Sequence, residues 1–428
     1  MRKFIQTIQN IWKIEDLRQR LLTTILFVLI YRFGSFVVLP GIDPTALTAL
    51  QAQTAGGLMA LLDMFSGGAF SNASIFALGI MPYISASIVI QLLTIAVPYF
   101  QKMQKEGESG RQKMNQITRY LTVAILLFQG PSYLVNLSVQ MAQAGQAVAV
   151  GFNWFTISST ILLCAGSMFV MWLGERITDR GIGNGISFII LIGIIARFPA
   201  ALVQEFSSRL NEGGGLMLFI LEIIILLFVF AFAILLVQGT RRIPVQYAKR
   251  MVGNKQYGGV RQYIPLKVNS ANVMPIIFAQ AIMFIPIALA GFSTSESASA
   301  FTRAFMNNDG FWYNAVFALL IIVFTYFYTA IIINPVQMAE NLKLNNGFIP
   351  GVKPGKKTAE YIDSIMTRLT LPGSCLLAII AILPAFARLF GVSMGFAQFF
   401  GGTSLLIMVG VILDTLQQIE SHLLMRHY

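Results

Sequence analysis

The 428-residue sequence predicts an all-α polytopic membrane protein with about ten transmembrane helices. Hydrophobic residues make up 56% of the chain and charged residues only 11%, whereas soluble domains carry roughly 25% charged residues. Apolar runs long enough to cross a bilayer, about 20 residues each, recur along the chain. They lie near 21–39, 73–97, 117–138, 154–173, 184–203, 216–238, 272–291, 312–333, 371–390 and 403–419.

Basic residues are distributed unevenly between the loops that join these runs. When the N-terminus, alternate loops and the C-terminus are assigned to one side of the membrane, that side holds 25 of the 30 Lys and Arg residues. This is the positive-inside pattern, which predicts cytoplasmic termini and an even number of spans. Membrane topology therefore accounts for the net charge of +12, and we expect no sequence-specific binding to nucleic acid.

The residue types that carry most enzyme chemistry are sparse. Cys164 and Cys375 both fall inside predicted spans, so no disulfide framework is predicted. His422 and His427 lie at the C-terminal end, outside any pattern typical of a metal site or a catalytic triad. The Gly-rich run 181–185 opens a membrane helix and does not follow a strand, as a phosphate-binding loop would. We expect no enzyme activity, no cofactor and no metal.

Residues 1–20 are polar and basic, and no small-residue cleavage site follows the first apolar run, so no cleavable signal is predicted. Apolar residues recur there at helical spacing beside basic ones: Phe4, Ile5, Ile8, Ile11 and Trp12. This pattern favours a short cytoplasmic helix in the membrane interface. A frayed amphipathic tail would show the same pattern.

Two cytoplasmic loops, 239–270 and 334–369, are longer and more basic than topology alone requires. They contain the pairs Arg241-Arg242 and Lys249-Arg250 and the turn 353–357, which reads Lys-Pro-Gly-Lys-Lys. Such loops are expected to be docking surfaces. The alternative is that their charges only fix topology and contact lipid headgroups.

A short motif repeats five spans apart. Residues 80–84 read Ile-Met-Pro-Tyr-Ile in the second span, and residues 273–277 read Val-Met-Pro-Ile-Ile at the start of the seventh. Halves of five helices, an odd number, cross the membrane in opposite senses, which is the inverted-repeat plan with a functional site between the halves. Because proline frees a backbone carbonyl, Pro82 and Pro275 indicate either two loosened helices at a moving seam or two ordinary kinks.

Residues 56–72 do not fit a simple span. Their apolar residues recur at helical spacing, but the stretch is too short to cross a bilayer and has glycines on both sides. This favours a re-entrant half-helix, which is tolerated only inside protein or along a cavity. An interfacial helix is the alternative.

Several longer strings make a family resemblance specific. They are residues 64–88, 174–187, 241–244 with 247–250, 334–335 through 350–355, and 401–407. In order and along nearly the whole chain, they resemble the SecY family, the channel-forming subunits of the bacterial protein translocase.

The resemblance implies two inverted five-helix halves, 21–203 and 204–428, around a central pore that a helix at about 56–70 plugs. Such a channel passes unfolded secretory proteins across the bacterial inner membrane and releases transmembrane segments sideways into lipid through a lateral gate. The implied partners are the small subunits SecE and SecG, the SecA motor ATPase, the ribosome, signal sequences and nascent polypeptides, and the lipid bilayer.

The resemblance also implies roles for individual residues. The pore ring would consist of Ile80, Ile84, Ile186, Ile190, Ile277 and Ile407. The plug would present Leu58, Leu61, Leu62 and Phe65, and the lateral gate would include Ser87, Gln91, Met274 and Ile285. The motor or ribosome would contact Arg242, Arg250 and Lys353. Without the resemblance, the isoleucines would be interpreted as lipid-facing or helix-packing residues.

Two details qualify these roles. Ile80, Ile84, Ser87 and Gln91 share one helical face, which suits a gate, although ordinary hydrogen bonding between helices also explains the polar pair. Lys353 stands where the family usually has Arg, so the charge is kept but the bidentate fork is lost.

The main alternative function is a secondary transporter with inverted repeats. It would require ionisable groups that converge near the middle of the membrane. The candidates Arg32, Arg197, Glu222 and Asp414 are spread over four predicted helices, which disfavours this alternative. An intramembrane protease is also disfavoured, because no paired-Asp or Ser/His pattern is present.

Overall fold

The computed structural model describes residues 12, 14–42, 63–143, 154–211, 215–247, 250–252, 255–257, 261–271, 273–290 and 310–425. Most of these residues are helical. The plug residues Leu58, Leu61 and Leu62 and residues 1–11 and 13 of the predicted interfacial helix lie outside the described residues. Trp12 is described and about half exposed, and residues 15–20 form the start of the first described helix rather than a separate one.

The first part of the chain contains α1 (Glu15–Gly34), α2 (Met81–Ala96), α3 (Pro98–Lys105), α4 (Glu108–Gln143), α5 (Trp154–Arg180) and α6 (Gly185–Asn211). The remainder contains α7 (Gly215–Gln238), α8 (Met274–Ala290), α9 (Phe311–Ile332), α10 (Pro335–Leu344), α11 (Lys356–Leu389), α12 (Met394–Ala397) and α13 (Gly402–Met425). Each of the ten predicted apolar runs lies mostly within one of these helices.

Six helical segments among the described residues are long and apolar enough to cross a membrane: Trp154–Arg180, Gly185–Asn211, Gly215–Gln238, Phe311–Leu344, Lys356–Leu389 and Gly402–Leu423. A bent pair, Met81–Thr94 with Pro98–Gln104, makes up to seven. The chain is therefore a multi-pass membrane protein, and the count of ten spans stays a prediction.

The chain forms two compact units. The first comprises Met1–Glu212, Ser393–Phe396 and Val411–Tyr428, and the second comprises Gly213–Val392 and Ala397–Gly410. Helix α13 thus begins in the second unit and ends in the first. The inverted relationship of the predicted halves stays a prediction.

The two Met-Pro motifs lie at helix starts. Pro82 is the second residue of α2, and Pro275 is the second residue of α8. A proline in the first helical turn needs no backbone N–H partner and fits the helical φ, so it neither loosens nor kinks the helix. Both interpretations of these prolines as features of a helix interior are wrong. The predicted span at 73–97 likewise becomes helical only at Met81, because turns occupy 66–73 and 75–80.

The prediction of an all-α chain is wrong in the two basic loops. Five short strands lie there: β1 (Thr240–Tyr247), β2 (Arg250–Val252), β3 (Lys255–Tyr257), β4 (Arg261–Lys267) and β5 (Gly347–Phe348). Antiparallel pairing gives a sheet of order β4-β1-β5, with Ile243 opposite Ile264 and Gln246 opposite Phe348; β2 and β3 form a separate hairpin.

One apolar core joins both loops. Ile243, Val245 and Leu266 from the sheet pack with residues of α10 and α11 in a buried cluster that also includes Leu342, Ile349, Ile362 and Met366. Alternation along β1 explains the sheet, because Ile243 and Val245 are buried while Arg242 and Pro244 are exposed. We call β1, β4, β5, α10 and the first turns of α11 the docking platform.

Candidate functional site

Segment 63–80 leads from the predicted plug into α2 and makes many hydrogen bonds to the rest of the first unit. A single helical turn at 63–65 is followed by turns, and almost every residue of the segment is buried. An antiparallel bridge between Val38 and Ser74 attaches it to the chain after α1. The amide of Leu39 donates to the carbonyl of Ala73 at 2.9 Å, and the amide of Ile75 donates to that of Val37 at 3.0 Å.

An ion pair ties the start of the segment to α6. The carboxylate of Asp63 is paired through Oδ2 with Arg197, and its Oδ1 accepts a 2.8 Å hydrogen bond from the amide of Ser71. Arg197 also donates to Oγ of Ser71 at 2.7 Å. These three residues therefore form a closed polar triangle.

Helix α1 contributes two further donors. Arg32 donates from Nη1 to the carbonyl oxygen of Gly67 at 2.7 Å, and Tyr31 donates its hydroxyl to the carbonyl oxygen of Ser66 at 3.0 Å. Buried carbonyl groups need such partners in an apolar surrounding. The turn at 66–67 is thus held by side chains from one helix while Arg197 approaches from another.

Close backbone approach makes this geometry depend on glycine. Gly67 and Gly68 adopt φ of +65° and +91°, where a side chain would be strained. A methyl group added to Gly193 of α6 would lie 2.8 Å from the carbonyl oxygen of Phe65. Helix α6 therefore presents a smooth surface on which the segment lies.

The later part of the segment has apolar packing in addition to its backbone bridge to the chain after α1. Phe70, Ala73 and Ala77 belong to a buried cluster with Leu39, Ile42, Tyr133, Leu134, Leu137 and Leu163. The ring of Phe76 stacks on Tyr31 with centroids 6.1 Å apart. Side-chain polar bonds thus hold the start of the segment, and backbone hydrogen bonds together with apolar contacts hold its later part.

The six isoleucines expected in the pore ring lie on, or immediately before, four helices: α2, α6, α8 and α13. In the first unit, Ile80 immediately precedes α2 and is buried, Ile84 is half-buried one turn later, and Ile186 and Ile190 lie one turn apart on α6. In the second unit, Ile277 lies in the first turn of α8 and Ile407 is buried in α13. Ile80, Ile190 and Ile407 are buried, and Ile84, Ile186 and Ile277 are half-buried. Residues that only pack helices together show the same burial, so the ring stays a prediction.

The other predicted residues are placed as follows. Phe65 is the predicted plug residue within the described part of the chain, and it is buried. Gln91 donates to the hydroxyl of Ser87 at 3.3 Å, one turn away on α2. Met274 opens α8 half-buried, while Ile285 lies in α8 where the backbone alone is described.

The three basic residues predicted to contact a motor or the ribosome lie on the second unit. Arg242 is exposed on β1, and Lys353 is exposed in the turn before α11, where its carbonyl accepts a 2.9 Å hydrogen bond from the hydroxyl of Thr358. The backbone of Arg250 pairs with Tyr257 in the β2-β3 hairpin. Because one core supports β1 and the start of α11, Arg242 and Lys353 belong to the same folded surface.

Local sequence pattern predicts no role for Asp63 and places Arg32 and Arg197 on separate helices. In the structure both arginines contact segment 63–80. Arg32 donates to a backbone carbonyl oxygen, and Arg197 contacts a hydroxyl and a carboxylate oxygen. An acidic residue inside the predicted re-entrant segment 56–72 was the available signal, since charged groups inside membranes need partners. Among the described residues, no group of His, Cys, Asp and Glu could hold a metal ion.

Comparisons with known sequences point to one family. A sequence model of the SecY family matches residues 74–416. Protein translocase subunit SecY of Streptomyces galbus is 44% identical over 427 residues, which cover 97% of each chain. The corresponding subunit of Escherichia coli K12 is 42% identical over 417 residues, which cover 96% of this chain and 93% of the relative.

Solved structures with a similar fold include channels. A structure described as a protein-conducting channel has a TM-score of 0.60 at 16% identity, and a SecY structure concerned with its plug domain has a TM-score of 0.62 at 17% identity. Sec61 in a canine ribosome–channel complex has a TM-score of 0.56 at 14% identity. Each match covers 94% of this chain and 92% of the other.

Proposed function

The chain belongs to the SecY family, and from this membership we propose that it is the central protein-conducting channel of a Sec translocon. It passes unfolded secretory proteins across the membrane and releases transmembrane segments sideways into lipid. The observation that carries the proposal is the match to translocase subunits at 44% identity over 97% of both chains. A channel of this kind catalyses no reaction, and its partners supply the driving force.

Reconstitution tests the proposal directly. Purified chain with its co-purifying subunits is placed in proteoliposomes, and an unfolded secretory precursor is added with a motor ATPase and ATP. We expect the precursor to become protected from external protease only when ATP is present. A panel of labelled small solutes in the same vesicles tests the transporter alternative. Saturable solute uptake without precursor protection would contradict the channel proposal.

The geometry of the first unit supports a gating role for segment 63–80 and the plug residues before it. The segment is buried against α1, α5 and α6, and it leads directly to Ile80 and Ile84 at the start of α2. With Ile186, Ile190, Ile277 and Ile407, these form a collar of branched apolar side chains. Such a collar excludes ions by dewetting when empty and adapts to a passing chain because dispersion contacts are non-directional.

The lateral gate is proposed at α2 and α8, the two helices that begin with Met-Pro. Ser87 and Gln91 place polar groups on α2 beyond the isoleucines, and Met274 and Ile285 mark the corresponding helix of the second unit. The support is the repeated motif at equivalent helix starts together with the family membership. This gate would let an apolar segment pass from the pore directly into the surrounding lipid.

The docking platform is proposed as the surface for the motor or the ribosome. Arg242 and Lys353 are exposed there on elements that share one core, and Arg250 lies on the adjoining hairpin. The described relatives include Sec61 in a ribosome–channel complex and an idle yeast Ssh1 complex bound to the yeast 80S ribosome. A folded basic surface suits a large partner better than isolated topology signals do.

The remaining assignments follow from family membership and the charge pattern. We place the chain in the bacterial inner membrane with both termini in the cytoplasm, as ten transmembrane helices in two inverted halves. SecE, SecG and SecA are its proposed partners, besides signal sequences and nascent chains. Purification in mild detergent, followed by identification of co-purifying chains, tests the subunit assignment. Recovery of the chain alone from cells that express all three would contradict it.

A further inference from the structure

We propose that Asp63, Ser71 and Arg197 form an ionic latch that positions the start of segment 63–80 in the resting channel. The consequence for ion leakage rests on the proposed plug function, whereas the positioning itself does not. The three residues come from two parts of the chain that are more than a hundred residues apart, and their contacts close on one another.

The geometry shows why these bonds work together. Asp63 uses one carboxylate oxygen for the Ser71 amide and the other for Arg197, while Arg197 also holds the Ser71 hydroxyl. The 63–71 turn is therefore closed on itself and attached to α6 by the same carboxylate. Loss of any one member leaves the other two with a broken network.

Burial makes the loss of either charged partner of the latch energetically costly. The side chain of Asp63 is 10% exposed and that of Arg197 is 33% exposed, so water screens the pair weakly on one side. Removing one partner of a largely buried pair leaves an uncompensated charge, which destabilises the closed arrangement. A charged pair in a predominantly apolar chain is also unusual without a role, because isolated charges are disfavoured inside membranes.

The position of the latch in the segment determines which residues become free when its bonds break. It spans the Gly67-Gly68 pair, both residues with positive φ, and its member Ser71 lies in the part of the segment where Phe70, Ala73 and Ala77 pack in the apolar cluster. Opening would free residues 63–65, while Ser66 and Gly67 keep their bonds to α1 and the later part of the segment stays packed. The glycine pair is thus the pivot that the latch controls.

The test uses the complete channel complex and the variant Asp63→Asn, whose amide oxygen can still accept from Ser71 but cannot form the ion pair. In planar bilayers we expect at least about a tenfold rise in the open fraction of the resting channel, equivalent to about 1.4 kcal/mol. Motor-driven export should be retained. Ser71→Ala, a neutral and smaller change, should give a smaller rise and replaces Asp63→Asn if that variant is not recovered.

The chain supplies a matched control in Arg209→Gln. Arg209 lies on the same helix, α6, and pairs at 3.0 Å with Glu205, a carboxylate that is 1% exposed. This pair does not contact segment 63–80 in the bonds described above. We expect no change in the resting open fraction. An equal rise in both variants would mean that any lost charge pair on α6 loosens the unit, and the latch proposal would be wrong.

A double variant tests the coupling between the two charges. In Asp63→Asn with Arg197→Gln, neither charge remains, so the open fraction should not exceed that of the more affected single variant. Independent, multiplying effects of the two single changes would contradict a latch.

Cysteine labelling separates positioning from plugging. Met64 lies before the glycine pair and is buried, and in a background without Cys164 and Cys375 the variant Met64→Cys should react slowly with a membrane-impermeant maleimide. Adding Asp63→Asn should speed the reaction, and adding Arg209→Gln should not. Faster labelling with unchanged conductance would support the latch and contradict the plug function. Unchanged labelling and conductance, together with a leak after deletion of 56–62, would overturn the latch and leave the plug function standing.

Discussion

The hydroxyl of Tyr133 donates a 2.8 Å hydrogen bond to the carbonyl oxygen of Phe70, and the two rings meet edge to face with centroids 4.9 Å apart. Both side chains are buried in the same cluster. One residue of α4 therefore provides a polar and an apolar contact to segment 63–80 at a single point. This contact lies beyond the Gly67-Gly68 pair, in the part of the segment that we expect to stay packed.

Replacing Tyr133 with Phe should keep the ring contact and remove the hydrogen bond. The carbonyl oxygen of Phe70 keeps the amide of Ala73 as a donor at 3.2 Å. The variant therefore loses one hydrogen bond, about 0.5–1.5 kcal/mol, and the midpoint of thermal unfolding in mild detergent should fall slightly. Tyr120→Phe is the matched control, because Tyr120 lies on the same helix and is 76% exposed. Equal unfolding midpoints for Tyr133→Phe and the unmodified chain would show that this bond adds nothing to the packing.

Deleting residues 56–62 should make the channel leak while the protein still assembles. The deletion removes Leu58, Leu61 and Leu62 but keeps Asp63, so the polar contacts of segment 63–80 are retained. Conductance in planar bilayers measures the leak, and recovery of the complex after purification measures assembly. Resting conductance that stays at the level of the full-length chain would remove the plug from the proposed function.

Lys353→Glu should strongly reduce motor-driven export and leave membrane insertion intact, because an exposed loop charge contributes little to the fold. Lys353→Arg, which restores the family's usual residue, should be tolerated. Export of a radiolabelled precursor into vesicles gives the rate. Lys102→Glu is the control for charge alone, since Lys102 is also exposed and basic but lies on α3, outside the docking platform. Similar export losses in both Glu variants would indicate a general charge effect.

A disulfide between cysteines introduced at Ser87 and Ile282 tests the lateral gate. Native Cys164 and Cys375 are replaced first, so that the new pair alone can react. Formation requires α-carbons within roughly 7 Å, which we expect in the idle channel. The oxidised channel should neither export precursor nor release membrane segments until it is reduced. If the crosslinked channel worked at the normal rate, α2 and α8 would form a static contact and segments would leave elsewhere.

The sequence was a good guide to helices and a poor guide to the loops. Apolar length alone locates Gly215–Gln238 within one residue of the predicted run at 216–238, because a bilayer requires long uninterrupted apolar helices. Strand β1 was not predicted because its basic residues indicated a loop, although Ile243, Val245 and Tyr247 alternate at the period of a strand. Pro82 was misread because a proline at a helix start and one inside a helix look alike without a boundary signal.

The convergence of Arg32 and Arg197 could not be predicted from local pattern. The bond from Arg197 to Ser71 joins residues 126 positions apart, and its geometry depends on how α1, α6 and segment 63–80 pack. Hydrophobic periodicity specifies which face of a helix is buried but not which helix it meets. Family resemblance supplied the six isoleucines and the gate residues, and none of these roles followed from spacing or charge.

Helix α11 connects the docking platform to the apolar helices of the second unit. Its residues Ile362 and Met366 are buried beneath the sheet of the docking platform, and Leu377 and Ile380 are fully buried further along the same helix. At 1.5 Å per residue, about 22 Å separate Ile362 from Leu377. A partner that tilts the sheet would therefore also move the later part of α11, which is buried among the apolar helices. Pro372, between the two parts of the helix, removes one backbone hydrogen bond and is the place where α11 would flex.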